Sequence, residues 1–459
     1  MHHTQPQPRR RARLSYTLLL ATALLAACGE KGTPPERTAV PPTVTPQPAS
    51  AGVPWRSRSQ LSGGFEPETA LALPGKILGL TLAVHPTDGW PAVAAIRWPF
   101  PGVGGRELYV RSFDPRAGRF GAPQQLALGA SALGSDGFAD AALAVRGDGA
   151  LLAVWGPGDN PQRYGQIWSA ISTDYGASWG APTELRAGCK HIAALALDAA
   201  WDGALLLICE EGRGTSPVLL TLRGGAPSDA QTLPIAVPYY AGGAALVCGE
   251  GDARSVAALL PLTIAGEAAL ISAIRRIGRE GAHGETAWRM RRTPLPAAPG
   301  GYDATSAVCH TPPGEAAPQI DALVASGADA LLVAVSGSAD ALGAPQVIAH
   351  GSAGQRITSP SIVYRAASDT LLASWICCAA DVFVADAAGF NGAAKTGGGR
   401  WRALGPLLAG ETSASLGALR SAPGRDSGTL AWVERHELAI VRRYTIDDDA
   451  ALATGGALR

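Results

Sequence analysis

The chain reads as an all-β protein, a β-propeller of four-stranded antiparallel blades, on three observations. A unit of two apolar strands around a Gly/Asp turn recurs along its 459 residues. A closing element (an aromatic, a short spacer, often Pro, then Leu) follows several of the copies. Long helical periodicity is almost absent, and the abundant alanine sits inside alternating runs bounded by Gly and Pro rather than on amphipathic faces.

The paired strands run from Leu82-Ala83-Val84 to Trp98, from Ala142-Leu143-Ala144-Val145 to Trp155, and from Leu195-Ala196-Leu197 to Cys209. They continue from Leu246-Val247-Cys248 to Leu260, Leu323-Val324 to Val335, Ile362-Val363-Tyr364 to Trp375, and Leu416 to Trp432. Asp88-Gly89, Asp148-Gly149 and Asp202-Gly203 are strong hairpin signals between the strands of a pair. Closing elements are Phe120…Pro123…Leu126, Trp179…Pro182…Leu185, Trp288…Pro294-Leu295 and Trp401…Pro406-Leu407. Phe65-Glu66-Pro67…Leu71 closes nothing before it, while the last unit, with Glu437 to Val441, lacks a closer. The N-terminal segment is therefore expected to supply the last strand of the final blade and close the ring, which protects edges that would otherwise pair with other chains. The expected count is seven blades. The copy from Leu323 to Val335 is the weakest, and without it the count is six. Residues 297–318 read as a long loop between blades.

The N-terminus sets the compartment. Arg9, Arg10, Arg11 and Arg13 precede an apolar run from Leu14 to Ala27, too short for a permanent membrane span, so residues 1–27 read as a signal peptide. The run ends in Leu25-Ala26-Ala27-Cys28, which resembles the bacterial lipoprotein box and implies lipid on Cys28. Residues 28–54 are rich in Pro, Thr, Gln and Ser and cannot bury a core, so they read as a tether; residues 55–459 form the folded domain. The expected location is the bacterial cell envelope, extracytoplasmic, with the membrane contacted through the lipid alone.

The precursor is neutral, with 38 basic and 38 acidic residues; cleavage before Cys28 removes four arginines, leaving 34 against 38, a net −4. That balance argues against nucleic acid as a partner. Cys189, Cys209, Cys248, Cys309, Cys377 and Cys378 follow Cys28; outside the cytoplasm they favour disulfides, with 15 pairings open. Cys189 and Cys209 flank one expected hairpin and are placed to bridge it. Cys309-His310 carries no expected role. No Cys/His spacing suggests a metal site, and no cofactor is expected.

Ser172-Thr173-Asp174-Tyr175-Gly176-Ala177-Ser178-Trp179 lies between two strand-like segments. Ser172 and Asp174 can bond back onto nearby amides, Gly176 can take a positive φ, and Trp179 is expected to start the next strand with its N–H partnered. The octet resembles the Asp box, or BNR hairpin, of the sialidase-like β-propeller family, where it is a structural clasp away from the catalytic face. The resemblance implies that Ser172, Asp174, Gly176 and Trp179 are structural. Sialidase chemistry would need three arginines around a carboxylate, a Tyr activated by Glu, and an acid/base Asp. The nearest matches are Arg97 in Ile96-Arg97-Trp98-Pro99, Glu211 and Arg213 in Cys209-Glu210-Glu211-Gly212-Arg213, and Tyr364-Arg365; no acid/base Asp follows Arg213 where the family places one. The reading is a lipid-anchored monomer that binds a glycan or an envelope protein without catalysis. The alternative is a divergent exo-sialidase-type glycoside hydrolase.

Overall fold

Apolar runs that must hide both faces of a strand shape this molecule. The computed structural model describes residues 68–445 except 73–74, 99–105, 127–139, 157–164, 199, 212–213, 238–241, 250–253, 265, 277–287, 339–340, 352–354, 367–368, 380–388, 397–400, 407–413, 422–426 and 435–437. The signal peptide, Cys28, the tether, Phe65 to Pro67 and Arg213 lie outside the described residues, as does the side chain of Glu211.

Among the described residues there is no α-helix, and the strands form six antiparallel sheets. The first contains Lys76–Val84, Pro91–Trp98 and Glu107–Asp114, with Arg119–Phe120 and Gln124–Gln125 at its outer edge. The second is seven-stranded: Asp140–Val145, Leu151–Gly156, Gly165–Ser172, Thr183–Leu197, Gly203–Glu211, Gly214–Arg223 and Ala226–Thr232. Its middle strand has two roles. Thr183 to Cys189 pairs backward with Gly165–Ser172, and Cys189 to Leu197 pairs forward with Gly203–Glu211. The third sheet is Ala244–Cys248, Ser255–Ile264, Glu267–Arg276 and Arg289–Pro294. The fourth is Ala304–His310, Gln319–Ser326 and Leu331–Ser338, edged by Ala341–Leu342 and Gln346–His350. The fifth is Arg356–Arg365, Thr370–Ala379, Gly389–Thr396 and Arg402–Pro406. The sixth is Ala414–Ser421, Ser427–Glu434 and Leu438–Thr445, completed by Glu68–Ala72, which pairs antiparallel with Leu438–Thr445.

Each leading strand packs on the next. Lys76–Val84 meets Asp140–Val145, which meets Thr183–Leu197; Ala244–Cys248, Ala304–His310, Arg356–Arg365 and Ala414–Ser421 follow, and the last packs back on Lys76–Val84. The second strands bury both faces between neighbouring sheets. Leu205 and Leu207 join one buried cluster with Leu152, Val154 and Val218, while Leu206 and Ile208 join another with Val256, Leu260 and Ile271. Ala322 and Val324 likewise point one way and Leu323 and Ala325 the other. This is why these strands read as unbroken apolar runs, and each fully buried Leu contributes roughly 1.5–3 kcal/mol.

Turns between first and second strands clasp one another, within the second sheet and between neighbouring sheets. His85 Nε2 lies 3.1 Å from the Gly147 carbonyl, and Arg146 stacks 4.5 Å over the Trp201 ring. Arg254 reaches Asp198 at 2.9 Å and Asp202 at 3.3 Å. Disulfides bridge Cys189 to Cys209, across paired strands, and Cys248 to Cys309, between the third and fourth sheets. Cys377 is also disulfide-bonded.

Two expectations are corrected. The fifth sequence copy, Leu323 to Val335, is a second and a third strand, not a first and a second. The matching first strand, Ala304–His310, lies inside the segment read as a loop. Every residue of Ala-Thr-Ser-Ala-Val-Cys-His is half-buried, so no apolar alternation marks it. The pair Cys309-His310, expected to carry no role as a pair, splits its tasks: Cys309 forms one of the disulfides that the even cysteine count favours, and His310 lies 2.9 Å from Asp321.

Candidate functional site

In an antiparallel meander the first strand starts, and the second ends, at one end of the sheet; call this the upper end. The turns from first to second strand and from third to fourth lie at the lower end. The strand order therefore assigns every described sequence candidate to an end.

The Ser172–Trp179 hairpin follows a third strand and is at the lower end. Ser172, 1% exposed, donates its hydroxyl to Asp174 Oδ1 at 2.8 Å and accepts the Gly176 N–H at 2.8 Å. Asp174 also accepts the Ser178 N–H at 2.9 Å and the Ser178 hydroxyl at 2.6 Å. Burial works against its charge, but these donors outweigh it and hold the carboxyl below the usual range. Gly176 has φ +82°, and a Cβ there would sit 2.6 Å from Ser112 Oγ and 2.9 Å from Leu151 Cδ1, so no other residue fits. Ser112, in the first sheet, donates to the Tyr175 carbonyl, joining the two sheets. Trp179 corrects the expectation twice: it precedes the strand Thr183–Leu197 by an extended segment, and its buried indole N–H has no hydrogen-bond partner.

Tyr364 and Arg365 end a first strand, so they too are at the lower end. Arg365 is 1% exposed. Tyr364 stacks on His310 with ring centroids 3.8 Å apart and donates to Asp369 at 2.9 Å. Burial first, then that acceptor, push its phenol up to about 12. His310 Nε2 lies 2.9 Å from Asp321 Oδ2, and Asp321, 1% exposed, also receives Lys395 at 3.2 Å and the Ser336 hydroxyl. This is a buried seam between the fourth and fifth sheets.

Arg97 and Glu211 end second strands, at the upper end. The structure thus separates Arg97 and Glu211 from Tyr364 and Arg365.

Other polar residues lie at the upper ends of their own sheets. Arg97 Nε lies 3.2 Å from Glu107 Oε2, and the same oxygen accepts the Tyr109 hydroxyl at 3.3 Å. Arg97 also covers the Tyr109 ring at 5.7 Å. Burial, then the Glu107 charge, raise the Tyr109 phenol above its ordinary value. At the junction of the two leading strands in the second sheet, His191 Nδ1 lies 2.6 Å from Asp140 Oδ2, which also accepts the Ile192 N–H at 3.1 Å. Their side chains are 22% and 19% exposed. Burial of the imidazole opposes protonation, yet the Asp140 charge and hydrogen bond prevail and raise its pKa. Asp303, just before the first strand of the fourth sheet, accepts the Gly327 N–H at 3.1 Å. Burial raises its pKa, against the Gly327 bond and the Arg356 charge.

Sequence reasoning did not single out Asp140, His191, Glu107, Tyr109 or Asp303. Asp140 and His191 are 51 residues apart, and only strand pairing joins them. The available signal was a charged residue at the head of an apolar inner strand, as in Asp140-Ala141-Ala142-Leu143. Among the described residues, no group of three His, Cys, Asp or Glu side chains is arranged to hold a metal ion.

No family model and no curated protein matches the chain. Among solved structures it is similar to an ulvan lyase at 13% identity, covering 84% of this chain and 99% of that one, with a TM-score of 0.48. It is similar to an α-L-arabinanase of Penicillium chrysogenum at 10% identity, over 84% and 99%, with a TM-score of 0.46. Similarity to a Trypanosoma rangeli sialidase in complex with sialic acid is 13% identity, over 88% of this chain and 58% of that one, with a TM-score of 0.45.

Proposed function

We propose that the folded domain is a closed, seven-bladed, sialidase-like β-propeller that binds a glycan at the upper end of its ring without hydrolysing it. Seven blades follow if the second sheet is two blades sharing Thr183–Leu197. The cycle of leading-strand contacts supports closure, as does the pairing of Glu68–Ala72 with Leu438–Thr445. The Ser172–Trp179 hairpin is the structural clasp of this ring, and lipid on Cys28 tethers it outside the cytoplasm. The disulfides fit that oxidising compartment.

The Asp140–His191 pair carries the binding reading. Asp140 Oδ2 is occupied by His191 Nδ1 and the Ile192 N–H, so both side chains are held in one geometry. Asp140 Oδ1 and His191 Nε2 are not used in these bonds and form an acceptor and donor pair suited to sugar hydroxyls. The expected result is that Asp140→Asn and His191→Gln each weaken binding to the best ligand on a glycan array at least about tenfold, the loss of one charge-assisted bond. Unchanged affinity in both variants refutes the site. An envelope protein is the other partner class; capture of a stable protein complex with no glycan retained would replace the glycan reading.

A hydrolase reading is favoured by one observation, the Tyr109–Glu107 pair beside Arg97 at the same end. Against it, Glu107 already engages that arginine, and Tyr364 and Arg365 lie at the other end. Hydrolysis of a fluorogenic sialoside that disappears in Tyr109→Phe and Glu107→Gln would establish the hydrolase. For the anchor, Cys28→Ser is expected to move the protein from the membrane to the soluble fraction, and an unchanged membrane pool defeats it.

A further inference from the structure

The outer edge of the third sheet is rich in arginine. Glu267–Arg276 and Arg289–Pro294 together carry five arginines, Arg275, Arg276, Arg289, Arg291 and Arg292, and one carboxylate, Glu267. The whole chain, by contrast, is balanced at 38 basic and 38 acidic residues.

Register sorts these arginines by face. Ile274 pairs with Arg289, Ser272 with Arg291, and Ile271 with Arg292. Side chains alternate along a strand, so Arg289 and Arg291 share a face and stand roughly 7 Å apart along it. Arg276, two residues beyond Ile274, belongs to the same face and extends the row onto the neighbouring strand. Arg275 and Arg292 are on the opposite face, where each meets a carboxylate: Asp229 at 2.7 Å and Glu267 at 2.7 Å. The face with the row buries Leu270 and Ile274 against the fourth sheet and exposes Arg276, Arg289 and Arg291 beyond that contact.

We infer that this row is an anion-binding strip for a carboxylated or sulfated polysaccharide, separate from the upper-end site. A polymer with a charge on successive sugars presents a line of anions. A line of guanidinium groups along a strand edge matches it in spacing and sign, since a guanidinium takes a carboxylate or sulfate in a bidentate fashion. The bland alternative is that the charges only keep an edge strand from pairing with other chains.

The full-length protein is titrated calorimetrically with polygalacturonate and with heparin, at about 50 and 200 mM salt, with neutral dextran as the control. Duplex DNA and phosphatidylglycerol vesicles complete the set. The strip binds at least one acidic polysaccharide and not dextran, more weakly at the higher salt as screening shortens. Arg289→Glu/Arg291→Glu lowers that affinity at least about tenfold. The neutral variant Arg276→Gln/Arg291→Gln lowers it in the same direction and covers the case in which charge reversal prevents folding, judged by circular dichroism. Equal affinity of wild type and both variants overturns the strip, as does failure of both acidic polysaccharides to bind. DNA or vesicles bound as tightly as the polysaccharide overturn the choice of ligand.

Discussion

The proposed closure of the ring by the N-terminal strand can be tested at one side chain. Leu71 is fully buried, opposite Ala439 in the register, within a cluster that includes Val433 and Val441 of the last sheet and Ile77 and Leu82 of the first. Leu71→Ala removes about three buried carbons at roughly 0.8 kcal/mol each, about 2.4 kcal/mol. A void of about 80 Å³ at ~24 cal/mol per Å³ adds up to about 2 kcal/mol where neighbours cannot collapse. Partial relaxation places the expected loss at about 3–4 kcal/mol. Leu205, equally buried on a second strand, is the reference, since Leu205→Ala has the same chemistry with no role in closure. Urea unfolding followed by the fluorescence of the 11 tryptophans reports both variants. If Leu71→Ala costs under about 1 kcal/mol while Leu205→Ala costs about 3 or more, the N-terminal strand only decorates the last sheet, and closure is refuted. Deleting Glu68–Ala72 should also bare the edge of Leu438–Thr445 and produce concentration-dependent association by light scattering.

Three further outcomes follow from the same geometry. His191 should titrate above 6.5 by NMR, and Asp140→Asn should lower its pKa, since burial then acts unopposed. The raised folded-state value means that the pair's stabilisation is full below 6.5 and is lost as pH climbs through the folded pKa; a titration unmoved by Asp140→Asn contradicts this. Ser172→Ala should cost about 1–2 kcal/mol by leaving the Gly176 N–H and the Asp174 carboxylate short of a partner. Glycan affinity should stay within about twofold, because the hairpin is at the lower end; a tenfold binding loss would contradict that placement. Replacing Cys248 and Cys309 by Ser opens a 61-residue loop and should cost about 4 kcal/mol, against about 3 for the 20-residue loop of Cys189 and Cys209. Calorimetric unfolding showing the reverse order would refute the loop-closure account.

What the sequence could reveal was decided by how each strand is buried. A second strand sandwiched between two sheets must be apolar on both faces, and Leu205-Leu206-Leu207-Ile208 announces itself. The Gly176 turn is equally plain, because only glycine tolerates the contact with Ser112 and Leu151. Several leading strands are different: Lys76–Val84 and Asp140–Val145 mix buried with half-buried residues, so their pattern weakens toward that of a loop. Ala304–His310 is the extreme case, half-buried at every residue, so in sequence it reads as a connection. The error then moved the neighbouring pair by one strand. The same half-cover hides the candidate site. Asp140 and His191 sit on leading strands, where the pair stays partly hydrated while its partners are fixed. In sequence each is a lone polar residue beside an apolar run, indistinguishable from a solvated surface position. Arg97 and Tyr364-Arg365, by contrast, were visible because they mimic a motif, and strand order sends them to opposite ends. Resemblance to a catalytic string therefore says less about this chain's chemistry than a polar residue opening a leading strand.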